Sequence, residues 1–162
     1  MAAFAAENAQ PVLEVYEQAH PGDRRPRAAI DAAWEFARGG KRGKTLRDTA
    51  WAALRAAGET DSEAAGDAAR AAMAAASAAY LHPLADAHQV KHILGAAAHA
   101  ARAAELEAGG DRSVGAAYIG QAGRRATSVV VEVLDRYPAA PPGGGRVGEL
   151  LRDLDATLRS RP

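Results

Sequence analysis

Four of the five histidines lie between Leu81 and Ala104, in LHPLADAHQVKHILGAAAHAARAA. His88 and His92 are four residues apart, so one turn of helix would set two imidazoles on one metal ion. The third ligand is missing. Gln89 follows His88 where a zinc-protease helix carries glutamate, and His99 lies two turns beyond His92, too far along an axis rising about 1.5 Å per residue. No metal and no cofactor are therefore expected. Proton transfer is the other chemistry on offer. His82 and Asp86 would stand one turn apart if a helix began at Pro83, and burial tunes such a pair for acid–base work. The catalytic candidates are His82, Asp86, His88 and His92. The plainer reading makes these histidines hydrogen-bonded core or subunit-contact residues.

A second group, DRRPR, offers guanidinium forks suited to a carboxylate or phosphate. Asp23, Arg25 and Arg27, together with Trp34 and Lys91, are the candidate ligand contacts. Against this stands a surface face whose ion pair merely holds a helix start. The string GGKRGKT from Gly39 to Thr45 looks like a phosphate-binding loop, but G-x-x-x-x-G-K-[ST] needs glycine where Arg38 stands, and a strand before it. It reads as a basic turn between helices. No serine sits in an elbow motif, and no triad order emerges.

Helices must position these groups. Pro11 to His20 reads as a short amphipathic helix stopped by His20-Pro21-Gly22. Asp23 reads as the N-cap of the next, with Ala29, Ile30, Ala33, Trp34 and Ala37 inward, Arg27, Asp31, Glu35 and Arg38 outward, and Gly39-Gly40 as its end. Lys44 to Ala57 turns Leu46, Ala50, Ala53, Leu54 and Ala57 inward. Thr60 and Glu63 suggest a capping box for an alanine-rich helix reaching Tyr80. From Pro83 to Leu106 the pattern is apolar almost all round, with Val90, Ile93, Leu94, Ala97, Ala101 and Ala104 on one side and His88, His92, Gly95 and His99 on the other, as a helix buried on both sides requires. Ser113 opens a further helix, within which Val129-Val130-Val131 is β-branched but has no strand to pair with. YPAAPPGGG, 137–145, reads as a linker, and Val147, Leu150, Leu151, Leu154 and Leu158 mark a C-terminal amphipathic helix. The expected fold is all-α: one domain over 1–162, a bundle of six to seven helices around a central buried one, with both tryptophans in the core and the arginine cluster folded beside the histidines.

Composition narrows the function. Twenty basic residues balance twenty acidic ones, so no global field draws in nucleic acid or an anionic membrane. Cysteine is absent, which removes disulfides and thiolate chemistry. The first sixteen residues lack a basic n-region and no apolar run approaches the roughly 20 residues of a membrane span. A soluble cytoplasmic protein is the expectation. Abundant alanine, and arginine far exceeding lysine, fit a high-GC bacterial genome.

Three stretches carry a resemblance: HPGDRRPRAAIDAAWEFARG from His20 to Gly39, YLHPLADAHQVKHILGAAAHAARAAEL from Tyr80 to Leu106, and RVGELLRDLDATLR from Arg146 to Arg159. Together they resemble a bacterial, largely actinobacterial, family of all-helical putative immunity proteins, the type-five-like immunity domain, over about Val12 to Arg159. The family's D-x-R-P-R falls on Asp23, Arg25, Pro26 and Arg27. Its A-H-x-x-x-H-x-L-G-A-A falls on Ala87, His88, His92, Leu94, Gly95, Ala96 and Ala97, and His99 stands where related chains tend to carry an aromatic. The resemblance implies stoichiometric binding to a cognate toxin in the cytoplasm, with no chemistry of its own. The alternative is a cofactor-independent helical enzyme or binder of a small anionic ligand using a His/Asp/Arg pocket. A third reading is a homodimer joined through its alanine-rich faces.

Overall fold

The computed structural model describes residues 1–161 and is all-helical, with no strand among them. Nine α-helices follow one another: α1 (Ala2–Ala9), α2 (Leu13–Ala19), α3 (Arg25–Ala37), α4 (Lys44–Glu59), α5 (Glu63–Ser77), α6 (Val90–Glu107), α7 (Arg112–Arg125), α8 (Ser128–Leu134) and α9 (Gly145–Arg159). Single 3-10 turns occupy Gln10–Val12, Ala78–Tyr80 and Ala87–Gln89. Two helices exceed the expected seven. The N-terminal segment AAFAAENA forms α1 and buries Phe4, Ala5, Ala6 and Ala9. The helix after Ser113 is broken into α7 and α8 because Ala126 and Thr127 are extended. Arg161 donates to the Gly123 and Ala126 carbonyls at the break.

The centre is a pair of helices rather than a single spine. α5 is packed by α1, α2, α3, α4 and α6, and α6 by α1, α5, α7 and α9. Most of the buried side chains in both are alanine, each removing little apolar area, so the helices must approach closely to stay close-packed. At Gly66 a Cβ would lie 3.4 Å from the Ala57 carbonyl oxygen, in van der Waals contact, a measure of how near α4 comes to α5. The alanine faces proposed as a dimer contact are consumed inside the protomer. α9 presents Leu150, Leu151, Leu154 and Leu158 to this core, as its spacing predicts. All nine helices contribute to one hydrophobic core, and no helix is long and apolar enough to cross a membrane, among the described residues.

Three local expectations fail. α6 begins at Val90 rather than after Pro83: the residue before a proline is pushed out of the helical region, and Asp86, in extended backbone, caps a 3-10 turn by accepting the His88 N–H at 2.8 Å. The cap of α5 is Ser62, whose Oγ accepts from the Ala65 N–H, while Thr60 bonds His20. Trp51 is 57% exposed and Leu54 37%, not buried. The spacing of α4 from α5 is set by alanine contacts, which leaves no slot for an indole. The 137–145 segment is fastened down: Ala140 N–H donates to Asp155, Arg152 to the Pro141 and Gly143 carbonyls, and Arg159 to the Leu134 and Pro138 carbonyls.

Candidate functional site

Arg25 and Arg27 of DRRPR are engaged within the chain. Asp23 takes hydrogen bonds from the Arg25 backbone N–H, from Arg25 Nε and Nη2, and from Tyr16 Oη at 2.7 Å. The second face of Arg25 reaches Glu59 at the end of α4, also at 2.7 Å. The Arg25 fork, helped by the Tyr16 hydroxyl, outweighs partial burial and holds the Asp23 carboxyl well below the usual range. Burial and the adjacent carboxylate push Tyr16 up to about 12. Arg27 pairs with Glu17 at 2.5 Å rather than with Asp31, the neighbour its helical spacing suggests. This is a clamp joining α2, α3 and α4. Arg27 and Trp34 do meet, on the wall of an open depression of about 830 Å³ between α1, α2 and α3, where Glu7, Glu14 and Glu17 dominate and the Trp34 indole donates to Gln10.

The clamp and His92 stand at opposite ends of α5. Glu59 precedes its first turn, whereas His92 lies against Ser77 in its last. At 1.5 Å per residue the fifteen residues between put the two groups roughly 20 Å apart. The expected juxtaposition of the arginine cluster with the histidines at the start of α6 is therefore not realised, because the antiparallel α5–α6 hairpin carries that end of α6 away from the clamp.

The histidines themselves are divided. His82 and His88 are exposed, in the irregular 81–86 segment and the 3-10 turn before α6. His82 Nδ1 accepts from the Leu84 N–H, its carbonyl accepts from Tyr137 Oη, and Asp86 is used as a cap. His88 and His92 are not on one α-helical turn, and no group of three or more metal-ligating side chains gathers among the described residues. His92 is half-buried. Burial lowers its pKa below the usual imidazole value, opposed by its hydrogen bond with the Ser77 backbone, so the neutral ring is favoured.

Sequence spacing could not find the His–Asp pair that does form. His99 Nδ1 lies 2.7 Å from Asp67 Oδ1, between α6 and α5, thirty-two residues apart in the chain. It borders a cleft of about 510 Å³ between α5, α6 and α9, lined also by His92, Gly95, Val147, Leu151, Lys91 and Arg70, the last 3.8 Å from Asp67. Met73, Ser77 and His92 also line a second, mostly apolar groove of about 290 Å³ running up to Trp51 and Leu54 on α4. Missed in the sequence, this groove has one legible signal. Trp51 stands between Arg47 and Arg55, one turn away on either side, and thus off the inner stripe of Leu46, Ala50, Ala53 and Ala57.

A profile of the family described as Imm-5 like putative immunity protein matches residues 1–126. The match takes in the first two resembling stretches and stops before Arg146 to Arg159. No curated protein and no solved structure gives a significant match.

Proposed function

The chain belongs to the family of Imm-5 like putative immunity proteins, and on that premise we propose that it acts in the cytoplasm of the producing cell by binding a cognate toxin protein stoichiometrically. The family match over residues 1–126 carries this reading. It is supported by what becomes of the polar candidates: Asp23, Arg25, Arg27, His82 and Asp86 are engaged within the chain by hydrogen bonds that fasten helices and turns. Groups so engaged reach a substrate only by breaking those bonds, whereas an inhibitor needs only a rigid surface. Co-expression with the toxin reading frame next to its gene should restore growth, and the purified pair should sediment as a complex of fixed stoichiometry. Growth arrest that persists beside an abundant, folded chain overturns the reading.

A second reading, binding of a small anionic ligand, is favoured by the α5–α6–α9 cleft. Its apolar walls, half-buried His92 and cations Arg70 and Lys91 have the make-up of a ligand pocket. Carboxylates screened by thermal shift should raise Tm in proportion to occupancy, and the effect should vanish in His92→Gln. A flat response across the panel removes this reading.

A further inference from the structure

On α4 the apolar side chains face outward without cover. Trp51 and Leu54 are 57% and 37% exposed, and beside them Ala50, Met73 and Tyr80 continue a groove of about 290 Å³. That volume takes one large side chain rather than a cofactor. An indole carries a large contact area at low conformational cost and is the residue type most enriched in binding hot spots.

Cations predominate around the groove. Arg47 lines it, Arg55 lies one turn beyond Trp51, and Arg42 stacks over the Tyr80 ring at 5.8 Å. No carboxylate lines the groove. The two carboxylates of α4 are engaged elsewhere, Asp48 by Lys44 at 3.8 Å and Glu59 by Arg25 at 2.7 Å. The GGKRGK turn, rejected above as a phosphate loop, is held against this face because Tyr80 Oη donates to the Gly43 carbonyl and Arg42 to the Ala79 carbonyl. A chain whose net charge is zero thus concentrates cations around its exposed tryptophan.

We propose that the Trp51–Leu54 groove is the docking surface for an acidic segment of a partner protein, which seats one aromatic or aliphatic side chain between Trp51, Leu54 and Met73 and sets its carboxylates against Arg47, Arg55 and Arg42. Charge selects this occupant. A second copy would bring the same cations face to face, and like-charge juxtaposition disfavours wrong partners. The side chain supplies affinity by displacing water from an apolar pocket, and the carboxylates supply steering and register. The partner's identity as a toxin rests on the immunity reading; the surface does not.

Phage-displayed random dodecapeptides, panned on the full chain with counter-selection on the Trp51→Ser variant, test the surface. Enriched sequences should carry one large apolar residue flanked by two or more carboxylates. A synthetic peptide from that pool, titrated by calorimetry, should lose roughly thirty-fold or more in affinity on Trp51→Ser. It should lose tenfold or more on the double variant Arg47→Glu, Arg55→Glu, and weaken as salt rises. Circular dichroism melting of each variant separates lost docking from lost fold. Enrichment of basic or purely apolar sequences, or none that depends on Trp51, overturns the proposal. So does a dimer in sedimentation velocity that Trp51→Ser abolishes, or labelled poly(U) RNA that binds the face and is released by the double variant. Peptide binding without protection from the neighbouring toxin would sink the immunity reading alone. Protection that survives Trp51→Ser and the double variant would sink the surface alone.

Discussion

Two arginine-bearing regions of this molecule look alike in sequence and differ entirely in how their charge is used. Around Asp23 the two arginines that the D-x-R-P-R motif fixes each meet a carboxylate: Arg25 has Asp23 and Glu59, and Arg27 has Glu17. Around Trp51, Arg47 and Arg55 have no carboxylate within ion-pair distance among the described residues, and the apolar side chain between them is open to solvent. The difference teaches that an arginine motif is not a site until its partners are known. Paired guanidinium groups set the angle between helices, and unpaired ones remain available to something outside the chain.

The same contrast can be sharpened at its extreme, where a charge is wholly buried. Glu105 on α6 is 1% exposed and receives Arg102 at 2.7 Å and Arg146 at 2.8 Å, tying α9 to the core. Burial opposes ionisation there, and the bonds from Arg146 and Arg102 more than compensate, so the carboxyl stays below its usual pKa. Glu105→Gln leaves the arginines poorly matched and should cost about 3–5 kcal/mol in urea unfolding. Gly115, where any Cβ would run into the Glu105 carboxylate, should tolerate no side chain for the same reason. A loss below 1 kcal/mol for Glu105→Gln would show that this charge is dispensable and the contrast overdrawn.

Breaking the clamp comes next in size. Asp23→Asn keeps the shape but weakens the bonds from Arg25 and Tyr16, and should cost about 2 kcal/mol. The sign of its pH dependence follows from the depressed pKa. The folded carboxyl titrates below its usual 3.8, so its contribution is complete above that pH and is lost as pH falls through and below it. The variant should show a shallower acid limb in a plot of urea midpoint against pH.

His92 gives a smaller effect in a different window. Its folded pKa is lowered from the usual 6.5, so the unfolded chain binds the proton first and stability declines as pH drops below about 6.5. His92→Gln should flatten the urea midpoint between pH 7.5 and 5.5 while leaving the Asp23 limb in place. If the wild-type midpoint is already flat there, the ring is better solvated than its place against Ser77 indicates.

Much of the fold was legible because the apolar period of 3.6 survives even in alanine: the leucine stripe of α9, Ala29, Ile30 and Ala33 of α3 and Leu46, Ala50, Ala53 and Ala57 of α4 lie inward where the spacing puts them, while Ala37 and Leu54 at the margins are exposed. Two things were not. Capping competition decided where α6 starts, since Asp86 and Pro83 both signal a beginning and the Asp86 cap won. Partner choice across helices was also hidden, because the His99–Asp67 and Arg27–Glu17 pairs depend on which helices become neighbours. That Arg25 and Arg27 pair within the chain was hidden for the same reason: Glu17 and Glu59 lie ten and thirty-four residues from their arginines. Trp51 was misplaced by composition, since an indole in a soluble helix is ordinarily core. Its position 100° away from Ala50 on the wheel already placed it outside the stripe.

That position yields the smallest stability effect and the sharpest separation of the two regions. A half-exposed indole with no hydrogen bond among the described residues contributes little to folding, so Trp51→Ser should move the unfolding free energy by no more than about 0.5 kcal/mol. Solubility should rise, because an apolar patch flanked by cations is removed from the surface. Melting by circular dichroism, run beside Asp23→Asn, checks both regions at once. A large destabilisation by Trp51→Ser would mean that the indole is held in place by Met73 and Leu54 as part of the core, and the free character of the α4 face would be lost. An unchanged Tm leaves the tryptophan with no work inside the fold and keeps the α4 face available to a partner, in contrast to the clamp.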